Sequence, residues 1–447
     1  MSTTPHAIDE FLQLLRFASI SADSKFAPQM TNCAEWLQKK LTAIGLHAEV
    51  APTQGQPVVL ARNAAKPGRP TVLIYGHYDV QPVDPLNLWQ NDPFDPTIRD
   101  GVVNARGSSD NKGQIFAHIL GVEAALKQGE LPVNLIFLIE GEEEIGSPSL
   151  APFLEAHKQE LACDVVVISD SPMIAPGTPT LCYGLRGIQA IEITLRGPDK
   201  DLHSGMFGGA VLNPLTALAR LLTTLHNPDF SVSILNFYDS VRPLQPWESE
   251  AWKKLPYQEK EILAITGVPE LDGEWSHTPL ERLWARPTAE INGMWGGYQG
   301  EGSKTVIPSL AHAKLTFRLV PDQQPEEILA LVEKHLRAHL PDSVKMEIEV
   351  GHGGAAYLTD PHDKWGRAAQ TALKTAFGGR EPALIREGGS IPIVADFKRI
   401  LGVDTLLLGL CLSNCNAHSP NETFPLSHLD VGCALNQELL RELAKAS

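Results

Sequence analysis

Thr71-Val72-Leu73-Ile74-Tyr75-Gly76-His77-Tyr78-Asp79-Val80 is the stretch on which the fold turns. Its first five residues form a short, continuous apolar run rich in branched side chains. That pattern predicts a strand buried on both faces, as in a parallel sheet covered by helices. The strand then stops on a histidine and an aspartate two residues apart. Open α/β sheets present their ligands outside the carboxyl ends of the strands, so this ending is where a site is expected.

The same ending recurs along the chain. VNLIFLI (133–139) runs into Glu140-Gly141-Glu142-Glu143-Glu144, DVVVIS (164–169) into Asp170, and DTLLLGL (404–410) is followed by His418. RGSSDNKG adds Asp110 just before a helix predicted from about Ile115 to Leu126. Each feature alone has an ordinary reading: a satisfied loop histidine, a solvated acidic turn, an aspartate capping a helix. Together they put imidazoles and carboxylates on one sheet edge, an arrangement that is costly unless a cation balances it.

Outside these strands the period changes. Thr4-Pro5 with Ile8, Phe11, Leu12 and Leu15 predicts a capped amphipathic helix, and Cys33 to Ile44 before Gly45 a second. In the middle of the chain Ile188 to Leu195, Ala313 to Leu319 and Met346 to Val350 alternate apolar and polar residues, as half-exposed strands do. Asn213-Pro214 and PEEILALVEKHLRAHLP open two helices between them, which makes a small split βαβ layer. The fold class is therefore α/β, a mostly parallel sheet flanked by helices, with a smaller α+β domain inserted. Its expected bounds are 1–187 with 356–447 for the large domain and 188–355 for the insert. Residues 227–300 hold Trp247, Trp252, Trp275, Trp284 and Trp295 among prolines and glycines, and are expected to be a packed irregular excursion or an interface.

Composition narrows the function classes. The 447 residues exceed what one core usually fills, and 43% apolar with 20% charged residues is ordinary globular usage. The net charge of -16 and the lack of a Lys/Arg run make nucleic acid and anionic membrane poor partners. No apolar run reaches the length of a membrane span and the N-terminus lacks the marks of a signal peptide, so a cytoplasmic location is expected. Six cysteines at 33, 163, 182, 411, 415 and 433 are too sparse for a disulfide framework.

GHYDVQP, ARGSSDNKGQ, EGEEEIGS, ISDS, YGLRG, DLHSGMFGG, KTVIP, FRLVP, REGGSIP and AHSPNE stand in an order that resembles the two-metal peptidases and amidohydrolases. That family includes carnosinase, aminoacylase, succinyl-diaminopimelate desuccinylase and carboxypeptidase G. The likeness covers nearly the whole chain, and DLHSGMFGG with the long insert points to the carnosinase-like branch. The resemblance implies a lid and dimerisation role for the insert, and two divalent ions per subunit, zinc first, with manganese or cobalt accepted by the same ligands. It implies Asp110 as a carboxylate bridging both ions, His77 and Asp170 on one, Glu144 and His418 on the other. Three carboxylates and a hydroxide would then offset two cations.

By the same likeness Glu143 is the general base, Glu143 and Glu144 being the paired glutamates just before Ile145-Gly146-Ser147. Asp79, two residues from His77 on an extended chain, would accept the imidazole N–H and fix its tautomer. The Asp110–Asn111 peptide would be cis. His203, reaching across a homodimer, would stabilise the oxyanion with Thr305 assisting. Arg318, Gly389 and Ser390 would clamp a terminal carboxylate. The implied substrate is a dipeptide or other short substrate with a free C-terminal carboxylate. An N-acyl amino acid deacylase with the same metals is the nearest alternative, and an inactive binding relative a more distant one.

Overall fold

The computed structural model describes residues 3–446. The stretch at 71–80 lies at the centre of a nine-stranded sheet. Thr71–His77 is hydrogen-bonded in parallel to Asn134–Glu140 on one side and to Val165–Ile168 on the other, and Thr405–Leu408 continues the parallel set beyond Val165–Ile168. The chain moves from the central strand to one neighbour and then to the opposite one, so the order reverses at His77. That is the switch point at which a crevice opens in a doubly wound sheet. His47–Ala51 and Val58–Arg62 extend one edge antiparallel, while Thr180–Leu185, Tyr357–Leu358 and Ala383–Glu387 build the other.

Both faces of this sheet are covered, which is why its strands read as unbroken apolar runs. One face buries Val72, Ile74, Leu135 and Phe137 against Phe11, Leu37, Phe116, Leu373 and Leu439 of the helices Pro5–Leu15, Ala27–Ala43, Lys112–Gln128, Lys364–Ala376 and Leu426–Lys445. Phe11 and Phe116 stack with ring centroids 5.6 Å apart. Thr4 caps the first helix through its hydroxyl and Pro5 opens it. The other face buries Leu73, Tyr75 and Leu138 against Leu150, Val394 and Phe397.

The insert has the order strand, helix, strand, strand, helix, strand. Its four strands, Gly187–Arg196, Thr288–Gly296, Leu310–Leu319 and Lys345–Gly354, pair antiparallel, with the first and third in the middle. This is the ferredoxin-like solution to the split βαβ layer. Pro214–Thr223 and Pro325–His339 cover one face, on which Ile191, Ile193, Leu315 and Phe317 meet Leu218, Leu221, Val332 and Leu336. Strand burial alternates accordingly.

The tryptophan-rich excursion does not stay with the insert. Trp252, Ile262, Leu280 and Trp284 belong to the core on the second face of the large sheet, and Trp252 meets Trp284 edge-on at 5.1 Å. A buried Arg386–Glu248 ion pair, with Tyr183 donating to Glu248, ties the excursion to the large sheet. All six cysteines are free. No helix among the described residues is long and apolar enough to cross a membrane.

Candidate metal centre

Three strand ends and two loops converge at the switch point. His77, fully buried, directs Nε2 at Asp110 Oδ1 (3.2 Å), Asp170 Oδ2 (3.8 Å) and Glu143 Oε2 (4.0 Å). His418, on the loop after Cys411–Leu412, directs Nε2 at Asp110 Oδ2 (2.9 Å) and Glu144 Oε2 (3.1 Å). The two oxygens of one carboxylate thus face two different imidazoles. Ligand atoms of His77, Asp110 and Glu144 all lie within 4.8 Å of one another. His418 is held in a left-handed backbone conformation, φ 61°, and its side chain is 54% exposed, which leaves this side of the centre open to the cleft.

The donor set fits divalent metal. Although carboxylates surround it, His77 Nε2 is buried and in hydrogen-bond geometry with none of them, so its lone pair has no use in the chain itself. Two imidazoles and three carboxylates are a borderline set that zinc, manganese and cobalt all accept. Without an ion, protons take over the positive charge. Burial opposes a charged His77, yet Asp110, Asp170 and Asp79 carry its pKa well above the ordinary histidine value. Asp110 and Glu144 raise His418 to about 10. Burial resists ionisation of Asp110, but His418 and His77 hold its carboxyl well below the usual range. Burial, and then the charges of Asp170, Asp110 and Glu144 against the pull of His77, drives Glu143 far above an ordinary glutamate.

The supporting contacts give Asp79 a second task and add three residues. Nδ1 of His77 is 3.1 Å from the Asp79 backbone carbonyl and 3.3 Å from its carboxylate. The Asp79 carboxylate also accepts the backbone N–H groups of Glu143 (3.2 Å) and Glu144 (3.1 Å) and the hydroxyl of Ser21 (2.7 Å). It anchors the turn that carries both glutamates as well as standing beside the imidazole. Glu140 and Glu142, the other carboxylates of the acidic run, face away from the centre. Tyr75 and Ser147 donate to Glu140, and the backbone N–H groups of Gln56 and Ser149 to Glu142.

Asn111 is the first addition. The Asp110–Asn111 peptide is cis, and the Asn111 amide donates to Asp170 Oδ1 (2.8 Å) and Ser169 O (2.6 Å). Gly76 lets it approach, since a Cβ there would stand 2.8 Å from Asn111 Oδ1. Gln81 is the second, donating to Glu144 Oε2 at 2.9 Å.

Glu422 is the third, and the most heavily bonded. Fully buried, it accepts from Arg106 Nη1 (2.9 Å) and from the backbone N–H groups of Gly107 (2.8 Å), Ser109 (2.8 Å) and Asp110 (3.0 Å). It clasps the loop that presents Asp110 to the loop that presents His418. Burial pushes its carboxyl up to about 7 against the pull of Arg106. A Glu422→Gln change leaves Arg106 buried without its counter-charge, and breaking such a pair costs about 3–5 kcal/mol. The expected result is a lower denaturation midpoint and a metal affinity weakened about 10–100-fold, checked by urea titration and by competition with a chromophoric chelator. An unchanged affinity would mean that the clasp does not set the ligand geometry.

The remaining predicted residues are not gathered here. His203 and Thr305 stand together on an exposed two-stranded ribbon of the insert, where Leu202–His203 pairs with Val306–Ile307 and the Ser204 N–H donates to Thr305 O (3.1 Å). Among the described residues neither contacts the ligand cluster. Arg318 reaches from the insert to the large domain, Nη1 donating to Ser390 Oγ at 3.2 Å. Gly389 lines a cavity of about 250 Å³ with Pro172, Trp284 and Glu387.

Imidazoles and carboxylates converging at the switch point of an open doubly wound sheet fit a metal-dependent hydrolase, and the comparisons place the chain in such a class. The chain belongs to peptidase family M20/M25/M40, whose model matches residues 73–442. It is 33% identical to the Cys-Gly metallodipeptidase DUG1 of Candida albicans, over 96% of this chain and 93% of that one. It is 34% identical to the human Beta-Ala-His dipeptidase, over 98% and 90%. An M20 family metallo-carboxypeptidase from Sulfolobus solfataricus superposes with a TM-score of 0.88 at 33% identity, over 99% of this chain and 100% of that one.

Proposed function

We propose that this protein hydrolyses the amide bond of dipeptides that carry a free C-terminal carboxylate, with two divalent ions per subunit, zinc being the ion assigned first. The observation that carries this reading is the Asp110 carboxylate, whose oxygens face His77 at 3.2 Å and His418 at 2.9 Å. His77 and Asp170 would hold one ion, Glu144 and His418 the other, and Asp110 both. When bound, such a pair supplies Lewis-acid polarisation of the scissile carbonyl and acidifies the attacking water.

The chain's own groups do the rest. Glu143 takes the proton of the attacking water, holds it on a carboxyl made basic by burial and its acidic neighbours, and passes it to the leaving amine. Asp79 keeps Glu143 and Glu144 in place through their N–H groups. Arg318, Gly389 and Ser390 bind the terminal carboxylate. His203 and Thr305, supplied by the second subunit of a homodimer formed through the insert, stabilise the oxyanion.

Two observations favour dipeptides over N-acyl amino acids. The curated relatives matched over nearly their whole length are named as dipeptidases. Within the site, Glu387 is a half-buried carboxyl with no hydrogen-bond donor among the described residues, raised to about 7 by desolvation and the charge of Asp170. An ammonium group would relieve that, whereas an acyl cap offers no charge.

The test is a panel of dipeptides and N-acyl amino acids given to protein whose metal content has been measured. Turnover of free dipeptides, lost on chelation and recovered with zinc, manganese or cobalt, is expected. Turnover of acylated amino acids with none of free dipeptides would reverse the assignment.

A further inference from the structure

Arg186 sits where the large sheet hands the chain to the insert, between Thr180–Leu185 and Gly187–Arg196. It is 9% exposed. Its Nε donates to the carbonyl of Gly388 (3.1 Å) and its Nη1 to that of Arg286 (3.4 Å). Arg318 Nη1 donates to Ser390 Oγ, and that hydroxyl donates to the Arg186 carbonyl at 2.5 Å. Both arginines therefore hold the loop at 388–390. Gly388 makes this possible, because a Cβ there would stand 2.8 Å from Arg186 Nη2.

The charges do not balance. Among the described residues neither guanidinium forms an ion pair with a carboxylate. Burial, followed by the positive charge of Arg318, lowers the Arg186 pKa to about 10; exposed Glu290 offsets this only in part and from beyond ion-pair contact. A cation this buried normally has a counter-charge. Nη2 has no hydrogen-bond partner among the described residues, and the side chain lines a cavity of about 1020 Å³ that also reaches Leu283 and Glu290.

We propose that Arg186 and Arg318 form a two-guanidinium seat for the terminal carboxylate of the substrate, with Arg186 as a specificity-determining residue that also sets the loop at 388–390. This rests on the reading of the protein as a hydrolase of substrates with a free terminal carboxylate. The seat explains why both arginines grip one loop without a carboxylate of the chain's own, since the substrate brings the missing negative charge.

The test compares the metal-loaded wild type with Arg186→Met and Arg186→Lys on a substrate and its C-terminal amide. The expected result is a fall of about 10–100-fold in the acid-to-amide ratio of kcat/KM for Arg186→Met, through a higher KM for the acid, and a smaller fall for Arg186→Lys, which keeps the charge but not the fork. A wild-type ratio in both variants overturns the proposal, whatever happens to overall rate. The ratio is read on whichever class the wild type cleaves, so failure of the dipeptide assignment is scored separately. Calorimetric binding of alanine and alaninamide to the wild type gives a readout that needs neither variant nor turnover. Tighter binding of alanine supports the seat, and equal binding overturns it.

Discussion

Glu143→Gln is expected to keep both metal ions and to lose roughly 10²–10⁴-fold in kcat, the usual worth of a positioned general base. Glutamine keeps the shape and a carbonyl oxygen but cannot accept the proton that the attacking water gives up. Stability should move the other way. In the metal-free protein burial and three neighbouring carboxylates raise the Glu143 pKa far above its unfolded value, so the ionised side chain opposes folding at neutral pH. The variant should unfold at higher denaturant than the metal-free wild type near pH 7. That advantage should vanish as the pH falls below the ordinary glutamate range, where the carboxyl is protonated folded or unfolded. Metal analysis, steady-state kinetics and urea titration at two pH values cover all three. A variant with wild-type kcat would remove Glu143 from the reaction.

The second large effect concerns His203. His203→Ala should lower kcat by about 10²–10³-fold, as loss of an oxyanion donor does elsewhere, with metal content untouched. Its ribbon is exposed, with Met206 at 74% beside it, and among the described residues it makes no contact with the ligand cluster of its own chain. If the residue serves a neighbouring subunit, a mixture with Glu143→Ala should regain activity. One site of each mixed dimer then holds an intact Glu143 and receives an intact His203, about one site in four on random pairing. Verified mixed dimers that stay inactive would mean that the site is completed within one chain.

The central sheet was readable because burial on both faces leaves a plain signature, an apolar run with an abrupt polar stop. His77, Asp170 and the acidic run stand at such stops, so their convergence follows once the strands are parallel and adjacent. The contacts around them leave no comparable trace. Glu422 and Asp79 act on backbone N–H groups, which every residue carries and no sequence pattern marks. Asn111 and Gln81 are ordinary polar residues until the turn of a loop brings them to a carboxylate. Glu140 and Glu142 look like Glu143 and Glu144 in a string of letters, and differ only in which way a short turn points them. Arg186 was visible in YGLRG, but the lack of a counter-charge is a property of the space around it.

The path of the chain between the two domains constrains how the molecule can be taken apart. Residues 187–237 build the insert, 246–285 pack on the large domain, 288–354 return to the insert, and the chain then goes back to the large sheet. Four strands of connecting backbone thus bridge the halves where a simple insertion has two. A shortened protein made by splicing out 188–355 would lose Trp252, Ile262, Leu280 and Trp284 and lay bare the greasy floor they seal, inviting aggregation. Keeping 246–285 as a separate graft is the version of that surgery with a sound interior, and opening of the cleft has to flex all four tethers at once.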